Sequence, residues 1–314
     1  MVLNRIELLE KFNWLKEKNH SMVISADYDG LICASFLHHH LNWQLEGYYD
    51  LKNIWISEKG LKKKKDLIWV DLNILPKQGR AIGGHVVSIT NKIPKGFKTS
   101  CNPNILANIN SNEFKSKFPF STLIYLLWLH NVKIKNEHMA KLLVLHSDAT
   151  WLKFQHYNEN CKKWMEILTD YDWKRLFDKI NTKTFEKKID RNLYPLLKKL
   201  DAINDKSKLK SKNLNIQSIQ YQFNPDWDEN VIWHLLRLFA KELNWTPPQM
   251  PLIKSRIEGK RAKIPLAYIK DMGLLDFINK KRIFSYAIPS PRIFNFTTFG
   301  HINKSPLEKK HDII

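Results

Sequence analysis

The clearest pattern of apolar and polar positions lies near the start of the chain, in the stretch VISADYDGLICASFL at residues 23–37. An apolar run leads into the acidic segment DYDG at 27–30, and a second apolar run with small residues follows it. Apolar runs separated by a short, glycine-containing polar segment are typical of a buried strand, a tight turn and a helix. We therefore expect a strand at 21–25 and a helix at 30–43.

Similar patterns predict that strands alternate with helices through the rest of the first half. An amphipathic helix is expected at residues 1–20. The further expected elements are strands at 53–57, 66–71 and 81–89 and helices at 120–130 and 136–146. Alternation of this kind favours an α/β fold with a mostly parallel, doubly wound sheet.

The second half of the chain has a different character. Residues 159–204 carry apolar side chains at helical spacing, and residues 204–215 (NDKSKLKSKNLN) are polar and basic, as in a linker. The elements expected beyond the linker are a strand near 216–223, a helix at 228–243 and aromatic strands near 283–296. We therefore divide the chain into a first domain at 1–158, a helical connector with a basic linker at 159–215, and a smaller α+β domain at 216–314.

The charge balance of the 314 residues is strongly positive. The chain has 51 Lys and Arg against 31 Asp and Glu, a formal net charge of +20 and a pI near 9.7. Such a balance favours a polyanionic partner, although codon usage in an AT-rich genome also enriches lysine.

Basic residues are concentrated in the expected C-terminal domain, beside aromatic ones. The candidates for contact with a nucleic-acid backbone are Lys254, Arg256, Lys260, Arg261, Lys263, Lys280, Lys281, Arg282 and Arg292. The candidates for stacking on single-stranded bases are Trp227, Trp233, Trp245, Tyr268, Phe294 and Phe296. A basic face that only contacts solvent is the simpler alternative.

Cysteine content and hydropathy bear on the compartment. Cys33, Cys101 and Cys161 cannot pair evenly and lack the spacing of a metal site, which is typical of a reducing cytoplasm. No apolar run approaches the ~18 residues of a membrane span. The start of the chain lacks the apolar core of a signal peptide. We expect a cytoplasmic protein without a membrane partner.

Acidic side chains follow several of the expected strands. Asp27 and Asp29 follow the first strand, Asp71 follows LIWV, His85 follows AIGG, and Asp148 follows the helix at 136–146. Carboxylates that share one edge of a sheet repel each other unless cations hold them. Two divalent cations about 3.5–4 Å apart would suit in-line attack of water on a phosphodiester.

This ordered set resembles the motifs of the DHH phosphoesterase superfamily. The order is DxDG, an apolar strand ending in Asp, an IxxH segment and an Asp after a helix, over roughly residues 20–155. The segment CNPN at 101–104, followed by a helix, is similar to a segment of the RecJ-like single-stranded DNA exonucleases. The resemblance implies a DHH-like fold and a metal-dependent nuclease whose smaller C-terminal domain binds the substrate.

The resemblance also implies roles for the individual residues. The metal ligands for Mn²⁺ or Mg²⁺ would be Asp27, Asp29, Asp71, His85 and Asp148. Asp71 would bridge two ions, and His85 would be a ligand or would contact the scissile phosphate, so Asp71 and His85 are the expected catalytic residues. The N-terminal amides of the helix that begins at Gly30 would contact a phosphate.

One motif departs from the family pattern. The third motif of the family is Asp-His-His, whereas this chain has Gly83-Gly84-His85. The middle residue of the family motif usually ligates a metal, and in this chain it is Gly84. The second metal site therefore lacks that ligand, unless His85 shifts to take its place. Three functions stay open: a single-stranded DNA exonuclease, a degenerate relative, and a phosphodiesterase for short oligonucleotides or cyclic dinucleotides. The degenerate relative would bind nucleic acid, a protein partner or another copy of itself within a DNA-processing or defence complex.

Each of these polar residues also has a simpler structural interpretation. Asp27 or Asp29 would cap the helix that follows, since Asx residues are common before a Gly and a helix. Asp71 would cap a loop, Asp148 would cap a helix that starts near Trp151, and His85 would be a turn residue after two glycines.

Overall fold

The computed structural model of the chain describes residues 1–76, 79–89, 93–135, 137–203, 207–219 and 221–300. Residues 301–314, the end of the expected C-terminal domain, and residues 204–206 of the expected linker lie outside this description. The α/β class and the mostly parallel sheet expected from the sequence are confirmed.

The strands of the described residues have the following bounds. They are β1 (Ser21–Ser25), β2 (Gln44–Tyr49), β3 (Asn53–Ser57), β4 (Ile68–Val70), β5 (Arg80–Ile82), β6 (Ser100–Cys101), β7 (Ser207–Lys210), β8 (Gln217–Ile219), β9 (Ile253–Glu258), β10 (Lys260–Pro265), β11 (Ile283–Ser290) and β12 (Ile293–Thr298).

The helices of the described residues are mostly short. They are α1 (Arg5–Lys11), α2 (Tyr28–Leu41), α3 (Glu58–Lys62), α4 (Pro103–Leu106), α5 (Thr122–Leu129), α6 (His138–His146), α7 (Thr150–His156), α8 (Asn158–Ile167), α9 (Trp173–Phe177), α10 (Lys183–Lys188), α11 (Tyr194–Lys199), α12 (Glu229–Leu243), α13 (Leu266–Met272) and α14 (Leu274–Lys281). Single 3₁₀ turns and one π-helical turn at Ile189–Leu193 connect some of them.

The main sheet contains seven of the described strands, in the order β6-β5-β4-β1-β2-β3-β9. The five strands from β6 to β2 are parallel, and β3 and β9 extend the sheet in antiparallel fashion. A β-strand directs successive side chains to opposite faces. Accordingly Met22 and Ile24 of β1 join the large core that contains α2 and α5, while Val23 joins a second core on the other face. Both faces are therefore buried, as in other parallel sheets.

A small antiparallel sheet of three described strands, in the order β10-β12-β11, packs against the second face of the main sheet. Phe284 of β11 meets Trp69 of β4 edge to face, with ring centroids 5.2 Å apart. The hydroxyl groups of Tyr49 and Ser285 are 2.6 Å apart. The other face of the small sheet packs on α13 and α14 through Phe277, whose ring meets that of Phe296 at 5.3 Å.

The part of the chain after residue 216 contributes to both sheets. Helix α12 packs on α2, β9 pairs with β3 at the edge of the main sheet, and only β10–β12 form the small sheet. Strand β7, within the expected linker, pairs with β8, which lies beyond the linker. The boundary suggested at residue 216 therefore does not coincide with a boundary between sheets, and the three-part division of the chain stays a prediction.

Several element bounds differ from those expected. Helix α1 ends at Lys11, where Phe12 leaves helical geometry, so the helix expected at 1–20 is too long. The strands expected at 66–71 and 81–89 are limited to β4 and β5, because the chain turns away from the sheet after Val70 and after Ile82. Among the described residues, no helix combines the length and apolar character needed to cross a membrane.

Candidate metal centre

The acidic residues meet at the point where the main sheet reverses its strand order. The chain leaves β1 toward β2 on one side, while β4 lies on the other side of β1. Ligands of open α/β sheets bind at the carboxyl ends of the strands at such a switch point. Asp27 and Asp29 follow β1 there, and Asp71 follows β4 directly.

Asp27 is the N-cap of α2. Its Oδ1 atom accepts a hydrogen bond from the Gly30 amide at 2.9 Å and lies 2.8 Å from Oγ of Ser25. The capping interpretation of Asp27 is therefore confirmed. The helix begins at Tyr28 rather than at Gly30, and the Gly30 amide donates to Asp27. Contact between the N-terminal amides of this helix and a phosphate stays a prediction. Burial, followed by the negative charge of Asp71, raises the pKa of Asp27 to about 7.

Asp29 is the second residue of α2 and is buried. Its carboxylate accepts hydrogen bonds from the backbone amides of Thr122, at 2.8 Å, and Leu123, at 3.3 Å, and from the hydroxyl of Ser147. The two amides are the first of α5, where the helix dipole favours a negative charge. Burial and then the carboxylates of Asp71 and Asp148 nonetheless raise the pKa of Asp29 well above its ordinary value.

Asp71 is the centre of the cluster. Its φ of +60° is in the left-handed region and turns the chain sharply after β4. One carboxylate oxygen accepts a hydrogen bond from Ser25 at 2.6 Å, and the other accepts one from Thr122 at 2.6 Å. The second oxygen also lies 2.8 Å from Nε2 of His85. Asp71 therefore joins side chains from three separate parts of the chain, rather than only capping a loop.

His85 lies in the loop after β5, and two asparagines of the CNPN segment hold that loop. Asn104 Nδ2 donates to the Gly84 carbonyl at 2.7 Å, and Asn102 Nδ2 donates to the Val86 carbonyl at 2.9 Å. The segment that supported the family resemblance thus positions the imidazole.

The His85 ring lies between two carboxylates. Nε2 faces Asp71, and Nδ1 lies 3.8 Å from Oδ2 of Asp148. Burial acts to lower the pKa of His85, but the charges of Asp71 and Asp148 outweigh it and raise the pKa to about 9. His85 is therefore more than a turn residue, although it does occupy a turn.

Asp148 reaches the cluster through an unusual backbone. Asp148 and Ala149 have φ values of +47° and +55°, in the left-handed region that few non-glycine residues adopt. Ala149 rather than Asp148 is the N-cap of α7, and it makes no side-chain capping bond. The capping interpretation of Asp148 is therefore wrong. The Asp148 carboxylate instead forms an ion pair with Lys153, a residue of α7.

Three of the five expected ligands come close enough to share one cation. Asp29, Asp71 and His85 each offer a ligand atom within 4.8 Å of the others, and the described residues contain no other such group of three His, Cys, Asp or Glu side chains. Asp27 and Asp148 border this group without belonging to it. Two carboxylates and one imidazole form a mixed oxygen and nitrogen donor set. This set suits Mn²⁺ better than Mg²⁺, because Mg²⁺ prefers oxygen ligands alone.

A cleft of about 320 Å³ lies over the group. One wall comes from residues 221–223, whose backbone pairs with residues 26–28, and another comes from Tyr286 and Ala287 of β11. Its described lining includes five aspartates, namely those at 27, 29, 50, 71 and 148, and contains no Lys or Arg. An acid-lined cleft in a protein of charge +20 favours a cation within it.

The nine basic candidates for nucleic-acid contact are all exposed, and in the described structure none of them lines the cleft. Arg256 forms ion pairs with Asp226 at 3.5 Å and Glu258 at 3.4 Å and lies over the Trp55 ring. Arg261 lines a small pocket that shares Leu51, Tyr286 and Ala287 with the cleft.

The expected stacking residues fall into two groups. Trp227, Trp233 and Tyr268 are exposed and remain candidates. Trp245, Phe294 and Phe296 are buried, so the expectation that they stack on bases is wrong. Trp245 packs on Phe36, and the two phenylalanines form the core of the small sheet.

Sequence reasoning missed the side chains that hold the acids in place. These are Ser25, Thr122, Ser147 and Lys153. A signal existed for two of them, because Ser121-Thr122 precedes a long apolar run, as at a helix start, and Ser147 precedes Asp148 directly. Comparison of the chain with models of known families, with curated proteins and with solved structures finds no match.

Proposed function

We propose that the chain is a phosphodiesterase of the DHH type that depends on a divalent metal and acts on nucleic acid. Its proposed activity is that of an exonuclease on single-stranded DNA. The observation that carries the proposal is the convergence of Asp29, Asp71 and His85 at the switch point of a parallel sheet. The ordered sequence motifs and the basic surface support the same function.

The donor set fits a divalent cation. Nε2 of His85 lies 2.8 Å from Oδ1 of Asp71, and metal ligation at this nitrogen would displace any proton on it. A divalent ion supplies Lewis-acid chemistry at such a site, since it activates water and polarises a phosphoryl oxygen.

The chain's own residues would perform the remaining steps. Ser25 and Thr122 fix the carboxylate of Asp71, and the amides at the start of α5 fix Asp29. With Nε2 of His85 available to the ion, Nδ1 faces the Asp148 carboxylate at 3.8 Å, which would orient the imidazole as a ligand. The exposed basic residues outside the cleft would attract the polyanion without neutralising the acids within it.

Hydrolysis of labelled single-stranded DNA in the presence of Mn²⁺ tests the proposal. The wild-type protein should shorten the DNA, and Asp71→Asn should abolish cleavage while a thermal melt shows that the variant folds. Asp66→Asn, which changes an exposed acid in the preceding loop, is the matched control and should keep full activity. Equal cleavage by Asp71→Asn and wild type would rule out the site.

A second substrate class is favoured by the size of the cleft. A volume of about 320 Å³ suits a short oligonucleotide or a cyclic dinucleotide better than a long strand. A series of labelled substrates from dinucleotide to 20-mer separates the two classes. A rate that is highest for the dinucleotide supports the small substrate, and a rate that rises with length supports the exonuclease. Binding of single-stranded DNA without hydrolysis of any substrate would instead identify a degenerate relative.

A further inference from the structure

Lys153 contacts Asp148, one of the two aspartates that border the ligand group without belonging to it. Its ammonium pairs with Asp148, while Asp29, Asp71 and His85 form the ligand set. We propose that the Lys153 ammonium takes the place of a second divalent cation at this centre, so that the centre binds a single ion. The inference rests on the proposed metal-dependent function.

The ion pair uses the carboxylate oxygen that faces the ligand set. Lys153 Nζ contacts Oδ2 of Asp148, and the same oxygen lies 3.8 Å from Nδ1 of His85. The side chains are 23% and 13% exposed, so water screens the pair only partly. A second cation at this oxygen would therefore have to displace the ammonium.

The backbone holds Asp148 in this arrangement. The left-handed conformations of Asp148 and Ala149 turn the carboxylate toward His85 and bring the start of α7 beneath it. Thr150 Oγ1 donates to the Ser147 carbonyl at 2.8 Å and accepts from the Ser121 amide at 3.2 Å. Left-handed geometry at two successive non-glycine residues is unfavourable and persists only where the surroundings impose it.

The position that would offer a further ligand has no room for a side chain. A Cβ atom added to Gly84 would lie 2.3 Å from Cδ1 of Phe118. Phe118 is itself fixed, because its backbone amide donates to Asn104 Oδ1 at 2.6 Å and its ring packs edge-on against Trp164. The glycine in place of the family's histidine is therefore accommodated by the surrounding packing.

The charges of the cluster also favour one ion. Lys153 compensates Asp148, which leaves three carboxylates, those of Asp27, Asp29 and Asp71, beside His85. One divalent cation offsets two of these three negative charges, whereas two would leave an excess of positive charge. A second divalent cation would bring an additional charge of the same sign close to the ammonium, which is unfavourable in a partly buried site.

Calorimetric titration with Mn²⁺ alone tests the inference on the full chain. The wild type should bind about one equivalent, because one ligand set is present. Lys153→Gln should bind about one further equivalent at Asp148, since a carboxylate and water molecules suffice for a weak divalent site. Lys153→Arg, which keeps the charge, and Lys162→Gln, which removes an exposed charge on α8, should both bind as the wild type does.

The outcomes separate this inference from the proposed function. A wild type that binds two equivalents, or a Lys153→Gln variant that still binds one, overturns the role of Lys153 and leaves the metal site standing. A wild type that binds no Mn²⁺ overturns both. If Lys153→Gln fails to fold, Asp148→Asn serves as the second variant and should still bind one equivalent of Mn²⁺. Loss of that equivalent would make Asp148 a ligand of the bound ion and would overturn the inference.

Discussion

Replacing His85 with Gln should remove a specific dependence of stability on pH. The pKa of His85 in the folded protein is about 9, because Asp71 and Asp148 outweigh the effect of burial, against an ordinary value of 6.5. A group whose pKa is raised by folding stabilises the folded state fully below its unfolded pKa. That stabilisation is lost as the pH rises from about 6.5 through about 9.

The size of the effect follows from the two pKa values and from the exposure of the ring. A rise in pKa from 6.5 to about 9 corresponds to about 3 kcal/mol at most. The His85 side chain is 39% exposed, so solvent screens its charge interactions. We therefore expect a stabilisation of about 1–2 kcal/mol below pH 6.5 that is absent above pH 9.

Urea unfolding with EDTA present measures the difference. The free energy of unfolding of the wild type should fall by about 1–2 kcal/mol more than that of His85→Gln between about pH 6 and pH 10. His234→Gln, which changes an exposed histidine of α12, should follow the wild type. Identical pH profiles for the wild type and His85→Gln would refute the ion-pair assignment.

Two further predictions concern the loops that carry the site. Gly84→Ala should lower the free energy of unfolding by about 1–3 kcal/mol, because the new Cβ would meet the Phe118 ring at 2.3 Å, and adding Phe118→Leu should restore part of the loss. An unchanged urea midpoint for Gly84→Ala would contradict the packing. Ala149→Gly should raise the free energy of unfolding by about 0.5–1 kcal/mol in the same assay, since glycine adopts a φ of +55° without strain. If Ala149→Gly is less stable than the wild type, packing of the Ala149 methyl group contributes more free energy than its left-handed backbone costs.

The strands that the sequence predicted best are those with uninterrupted apolar runs. The strands at 21–25 and 53–57 have the observed bounds, because five buried residues in succession leave little freedom. The strand at Gln44–Tyr49 was missed, because Glu46 and Gly47 interrupt its pattern. The structure shows that Glu46 is buried beside the Ser57 hydroxyl and the Lys59 ammonium, which lies 3.0 Å from it.

The edge strand β9 was also beyond sequence reasoning. Its residues are mostly exposed or half-buried, and several are charged, so they carry no apolar signal. The strand forms because it pairs with β3, about 200 residues earlier in the chain, where Arg256 lies opposite Trp55. Such long-range pairing depends on tertiary contacts rather than on local preference.

The acids of the site could be expected from the sequence, but the groups that hold them could not. Asp29 and Asp71 stood out because carboxylates next to buried strands are costly unless they have partners. Ser25 and Thr122 are common residues, and their role is to donate hydrogen bonds to Asp71, which is distant from both in the sequence. The pairing of Lys153 with Asp148 depends on two left-handed residues between the helices, which no local pattern indicates.

Anomalous diffraction from crystals grown with Mn²⁺ tests the central claim most directly. The account predicts a single anomalous peak within about 2.0–2.6 Å of a carboxylate oxygen of Asp29, one of Asp71 and a ring nitrogen of His85. Crystals in which these side chains keep their present hydrogen bonds and no peak lies between them would contradict it.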